Sequence, residues 1–372
     1  MDHAITGTST EVYGQLRFED SPRLVYWELT RACDLACRHC RAEAIPERDP
    51  NELDTEEGGR LLEDLLGFGK PAPHLVLTGG DPLKRPDFFE LLECAIALSL
   101  RTSVAPSGTP NLTREVLRRL KTLGVQSIAL SLDGSTAGRH DGLRGVPGCF
   151  DRTVEAARDA GEQSLPMQIN TLVTADTLED MESLYALVST LNVARWSLFT
   201  LVPTGRGAVL PEVSPERCET FFHWLYDRSR EAPFAIATTE APHFRRVALT
   251  RMQDEGRNAE DIRRTPVGMG FGIRDGNGIL FVSHVGEVFP SGFLPVAAGN
   301  VRTESPVTLY RSSELFRNIR ETERYAGKCG WCEFRNLCGG SRARSYAATG
   351  DPLGSDPLCA YEPASAAPGL ED

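Results

Sequence analysis

The chain has 372 residues, 41% of them hydrophobic and 25% charged, with a formal net charge of −12 at pH 7. That length suits one large α/β domain plus a smaller appended unit, and the acidic balance argues against non-specific nucleic-acid binding while allowing a locally basic pocket for an anionic small molecule. No stretch approaches the roughly 18–20 apolar residues of a membrane helix, and residues 1–20 lack the basic and apolar regions of a secretion signal, so a cytoplasmic location is expected.

Short apolar runs at 24–29, 74–78, 102–105, 127–132, 167–173 and 196–202 read as strands. Amphipathic patterns at 56–66, 87–98, 114–123, 153–160 and 178–191 read as the helices between them. Asn111-Leu112-Thr113 and Asp176-Thr177 supply N-caps, and Gly124 and Gly161 fall where left-handed C-caps are expected. Six strands alternating with helices imply parallel βαβ units and a partial β/α barrel, in which ligands collect at the C-terminal strand ends. From 205 to 266 the periodicity is helical but less regular. A Gly-rich stretch at 268–278, readable as a lid or a linker, leads into a hairpin at 279–283 and 287–289.

Ten cysteines in a chain expected to sit in a reducing compartment point to metal ligation or catalysis rather than disulfides. Cys94, Cys149 and Cys218 stand alone and read as small core or surface residues. Cys33, Cys37 and Cys40 follow directly on the first strand. Three thiolates at that spacing suit one soft metal centre and leave a coordination position open; a zinc site is the competing reading. His39 lies between two of them. Cys329, Cys332, Cys338 and Cys359 give four ligands near the end, a set that fits zinc or a fully ligated iron–sulfur cluster.

The Cys-x3-Cys-x2-Cys triplet after the first strand resembles the signature of the radical S-adenosylmethionine (SAM) enzymes. That resemblance implies a [4Fe–4S] cluster on Cys33, Cys37 and Cys40, with SAM on the open iron. Reductive cleavage of SAM would give a 5′-deoxyadenosyl radical that abstracts a substrate hydrogen. Thr78-Gly79-Gly80-Asp81 resembles the family's Gly-Gly-Glu segment, whose backbone and acid hold the SAM ammonium. Ser131-Leu132-Asp133-Gly134 stands where relatives contact ribose and methionine, and the resemblance puts Arg144 near the SAM carboxylate. Ser107 and Asn170 occupy places of polar SAM contacts, and His39 is counted with these cofactor residues.

The C-terminal cysteines resemble the SPASM extension in its shorter twitch form. Ser291 and Ser283-His284 replace cysteines of the full pattern, so one auxiliary [4Fe–4S] cluster on Cys329, Cys332, Cys338 and Cys359 is expected. The implied architecture is a partial (β/α)6 TIM-like barrel with a small C-terminal iron–sulfur domain. Its expected parts are an extension (1–22), the barrel core (23–205), a linking helical region (206–270), the auxiliary domain (271–363) and a flexible tail (364–372). The segment from Gly339 to Cys359 looks like the subgroup containing the radical decarboxylase of the alternative haem pathway and the haem d1 maturase, with Ser341 departing where those relatives are expected to carry a cysteine.

The leading expectation is therefore oxidative decarboxylation of a carboxylate-bearing small molecule such as a tetrapyrrole propionate, with flavodoxin or ferredoxin as electron donor. A peptide maturase is the alternative, weakened because only some twenty residues precede the first strand and no peptide-binding module is evident. A non-catalytic iron–sulfur scaffold or redox sensor would not need the SAM-contact set. His243, Arg245 and Arg246 are candidates for facing an anionic substrate, and Arg342 and Arg344 for lining the second cluster.

Overall fold

Alternation of shielded and half-buried residues along several of the apolar runs builds the sheet. In the computed structural model, which describes residues 18–364, the expected runs become β1 (Leu24–Glu28), β2 (His74–Thr78), β3 (Thr102–Val104), β4 (Ile128–Ser131), β5 (Met167–Val173) and β6 (Arg195–Thr200). Each pairs in parallel with its successor. Val25, Trp27, Leu75, Leu77, Leu130, Ile169 and Trp196 are buried under the helices. The intervening Thr78, Ser131, Asn170 and Phe199 face the concave side, where a cleft opens. A polar concave face and an apolar convex one are the signature of a barrel with a site inside it.

A seventh parallel strand, β7 (Ala235–Thr239), pairs with β6 inside the stretch read as irregularly helical. Its sequence, Ala-Ile-Ala-Thr-Thr, buries only Ile236 deeply, so it carries almost no apolar alternation for a reader to detect. The hairpin of β8 (Ile279–Val282) and β9 (Glu287–Phe289) is present, with β10 (Gly299–Asn300) at its edge. β8 pairs in parallel with β1, so one ten-stranded sheet runs β10-β9-β8-β1-β2-β3-β4-β5-β6-β7. The sheet is thus continuous across the boundary expected near residue 270.

Helix ends follow local chemistry. The Thr113 hydroxyl accepts from Val116 N at 3.2 Å, and Gly124 closes the same helix at φ +93°. Gly161 does not cap: its helix continues to Glu162, and Ser164 takes the left-handed turn instead. The expected extension and tail lie largely outside the described residues.

Candidate active site

After β1 the chain runs without regular structure over the C-terminal strand ends, and this loop carries Cys33, Cys37 and Cys40. Backbone bonds pin it at several places. Cys33 N donates to Ile45 O at 2.8 Å, Ala36 N to Arg144 O at 3.1 Å, and Arg38 N to Leu143 O at 2.9 Å. Arg206 adds two more, to Cys37 O at 2.9 Å and Ala44 O at 3.0 Å. The three thiols are free of disulfides and line one cleft of about 1270 Å³, open mouth included.

Each sulfur also has a donor aimed at it. Leu35 N points to Cys33 Sγ at 3.4 Å, Ala44 N to Cys40 Sγ at 3.3 Å, and Arg144 Nη1 to Cys37 Sγ at 3.7 Å. Burial pushes the Cys33 thiol up to about 11. Donors converging on three sulfurs of a single wall fit thiolates bound to a shared cationic centre, and the triplet suits a [4Fe–4S] cluster with one iron open.

Gly79, Gly80, Ser107, Ser131, Asp133, Arg144, Asn170 and His39 all line the same cleft. The two glycines serve a close approach of backbones: a Cβ on Gly79 would meet Thr30 O at 2.4 Å, and one on Gly80 would meet Ala32 O at 2.5 Å. Gly80 N and Asp81 N donate to Thr30 O and Ala32 O, locking the β2 loop to the cysteine loop. Asp81 itself does not line the cleft. It is fully buried, accepting from Thr109 Oγ1 at 2.7 Å and Leu83 N at 3.2 Å, and burial raises its pKa. Ser107 Oγ donates to Gly80 O at 2.7 Å, so the floor of the cleft is braced from β3.

The electrostatics on the β4 side follow from one ion pair. Arg144 donates to Asp133, which also accepts from Leu172 N at 2.8 Å. Burial opposes ionisation of Asp133, but the Arg144 charge holds its pKa below the usual range. Asp133 N donates to His140 Nδ1 at 3.1 Å, which requires an unprotonated Nδ1. Burial, reinforced by Arg144, lowers both His140 and His39 to about 4, leaving both neutral. The Arg144 Nε is buried without a partner and remains available to an anion in the cleft.

Cys329, Cys332, Cys338 and Cys359 line a second, smaller chamber with His243, Arg246 and Tyr361. Burial raises Cys332 to about 12 and Cys359 to about 11 and pushes Cys338 higher still. Arg342 Nη2 and Asp356 N approach Cys329 Sγ at 3.6 and 3.5 Å. Both His243 nitrogens are buried without partners beside these sulfurs. Four thiols with donors and an orphaned imidazole fit a thiolate-ligated metal group rather than an apolar core.

Some sequence expectations are displaced. His243 and Arg246 face the second chamber rather than the cleft, and Arg245 donates to Ile273 O. The 268–278 stretch is no free lid, since Gly272 N donates to Leu337 O at 3.0 Å and Gly276 N to Pro290 O at 2.8 Å. Sequence reasoning missed Arg206, Cys149 and Arg41, the last two of which line the cleft. For Arg206 the only signal was its flanking Gly205 and Gly207.

Residues 27–188 match the Radical SAM superfamily. An AdoMet-dependent heme synthase of Methanosarcina barkeri (strain Fusaro / DSM 804) is 40% identical over 344 residues, covering 92% of this chain and 98% of the relative. A second AdoMet-dependent heme synthase, from Nitratidesulfovibrio vulgaris, is 39% identical over 370 residues, covering 96% and 98%. The crystal structure of Streptococcus suis SuiB bound to S-adenosylmethionine shares the fold at a TM-score of 0.71 and 18% identity, covering 92% of this chain and 78% of that one. With a cysteine triplet already gathered at the mouth of a parallel barrel, these likenesses agree on one conclusion: the chain belongs to the radical SAM superfamily and is an enzyme that uses a [4Fe–4S] cluster and S-adenosylmethionine.

Proposed function

We propose that this enzyme removes carboxyl groups oxidatively from the propionate side chains of an iron tetrapyrrole. The observation that carries the reading is the near full-length likeness to two proteins named AdoMet-dependent heme synthase, at 40% and 39% identity. The cleft supports it, being roomy, rich in backbone and hydroxyl groups, and bounded by two arginines, Arg41 and Arg144. When bound to Cys33, Cys37 and Cys40, the [4Fe–4S] cluster supplies the electron that cleaves SAM. Gly79 and Gly80 offer backbone, and Ser107, Ser131, Asp133, Asn170 and His39 offer side chains, to the nucleoside and amino-acid parts of SAM. Arg144 Nε, buried without a partner, would bind its carboxylate.

A hydrogen atom leaves the carbon β to the carboxylate, the bond to the carboxyl carbon breaks, carbon dioxide departs, and a vinyl group and one electron remain. An iron–sulfur cluster on Cys329, Cys332, Cys338 and Cys359 would provide an acceptor for that electron. An external donor of the flavodoxin or ferredoxin class would supply the electron for SAM. The chain's own contribution is to hold the reacting carbon near the SAM site and to keep bulk water from the radical.

Anaerobic reconstitution with iron and sulfide, followed by dithionite and SAM, tests the reading. About eight irons per chain are expected from two four-iron clusters, with 5′-deoxyadenosine formed and iron coproporphyrin III losing carbon dioxide. Cys37→Ala should abolish 5′-deoxyadenosine formation. Bound zinc without SAM cleavage, or SAM cleavage that never consumes the tetrapyrrole, would overturn the respective half of the proposal.

A further inference from the structure

At the mouth of the cleft, directly after Cys40, Arg41 is held in an unusual setting for a surface-loop arginine. Its Nη2 donates to Glu28 Oε2 at 2.7 Å, and its Cζ lies 4.6 Å from the centre of the Phe281 ring. Glu28, at the end of β1, is 3% exposed. Its other oxygen, Oε1, is 2.8 Å from His284 Nδ1, just after β8. Burial opposes the charge on Glu28, yet Arg41 and His284 together keep its pKa below the ordinary carboxylate value. Gly292 leaves the space beside the guanidinium clear, since a Cβ there would come within 3.3 Å of Arg41 Cζ.

The guanidinium is therefore fixed on one side by a carboxylate and below by an aromatic face, a rigid mounting that costs little further ordering when it binds. Among the described residues, no hydrogen bond engages its Nε or Nη1. The side chain is 23% exposed and borders the cleft, so those donors open onto its space. Phe199 and Phe293, with ring centroids 6.4 Å apart, form an apolar wall of the same cleft. A planar, preorganised fork beside an aromatic wall matches a flat apolar body that carries carboxylates.

We propose that Arg41 is the residue that clamps a carboxylate of the substrate, oriented by Glu28 and His284. The inference rests on the tetrapyrrole reading and deepens it, giving this chain a specificity determinant outside the SAM contacts. It also gives a role to His284, close to where a further cysteine of the longer extension was expected: the imidazole holds Glu28 against Arg41.

Soret-band titration of the reconstituted enzyme with iron coproporphyrin III and with its tetramethyl ester separates the claims. Wild type should bind the free acid more tightly than the ester. Arg41→Ala should lose roughly 10- to 100-fold in affinity for the acid and little for the ester, as expected for a charge-assisted hydrogen bond. Arg41→Lys should recover only part, because an ammonium lacks the fork. Glu28→Gln, nearly isosteric and on β1 rather than within the cysteine loop, should weaken acid binding by several-fold and decides the matter if Arg41→Ala does not load iron. Unchanged acid-over-ester preference in these variants overturns the clamp but not the tetrapyrrole reading. Failure of wild type to bind either form overturns both.

Discussion

At Gly80 a methyl group would sit 2.5 Å from the Ala32 carbonyl oxygen and 2.6 Å from that of Arg31. Both are backbone atoms of the cysteine loop, so neither yields cheaply. Gly80→Ala is expected to destabilise the fold by about 1–3 kcal/mol and to lower iron loading, read by thermal melting and iron analysis of the anaerobic protein. The glycine pair and its place at a strand end were visible in the sequence; what they approach was not. Asp81 illustrates the limit. Its motif position marks it as a ligand contact, but its carboxylate turns inward to Thr109, a partner 28 residues away that no local pattern announces. Arg206 and Cys37 are 169 residues apart, and a contact so distant leaves no trace in spacing.

Neighbouring glycines in the helix Thr55–Asp64 separate packing from propensity. A Cβ on Gly58 would lie 2.8 Å from both Leu91 Cδ2 and Trp27 Cη2, whereas one on Gly59 meets nothing within 4 Å. Gly58→Ala should cost about 1–3 kcal/mol, and Gly59→Ala should gain about 0.4–1 kcal/mol, in urea melts of the same preparation. The same helix opens with a capping box in which Asp54 and Glu57 satisfy each other's backbone donors. Glu57 also pairs with Arg302, whose Nε donates at 2.7 Å, and that hydrogen bond leads in lowering its pKa to about 2. A depressed acid contributes stability above its unfolded pKa and loses it as pH falls toward the folded one. The contribution should therefore be full above about pH 4.5 and vanish by about pH 2. Solvent screening keeps it near 1 kcal/mol or less, and Arg302→Ala should flatten that part of the stability–pH curve. Strands and helices with strong periodicity were legible at this scale to within a few residues. β7 was not, because Ala-Ile-Ala-Thr-Thr holds a single large apolar residue and shows no period-two pattern.

Arg344 ties the two cysteine centres into one body. It is 1% exposed, and its donors reach Leu201 O at 3.1 Å, Glu240 O at 2.7 Å and both oxygens of Asp356. Leu201 borders the cleft, and Asp356 N faces Cys329 Sγ. Burial opposes ionisation of Asp356, but Arg344 holds it down to about 2. Arg344→Met would strand that carboxylate without its cation, at a cost of about 3–5 kcal/mol, with a lowered melting temperature as the readout. The four C-terminal cysteines were readable as a set, yet their coupling to the barrel required the fold. The strand order carries a consequence for how the protein is made. β1 leaves the ribosome early, but its second neighbour, β8, is encoded roughly 250 residues later. At about 5–20 residues per second, that edge waits roughly 12–50 s for its partner, with its backbone donors and acceptors open to other chains. Glu28 gains its His284 contact only then, so the Arg41 mount is among the last parts of the cleft to be assembled during synthesis.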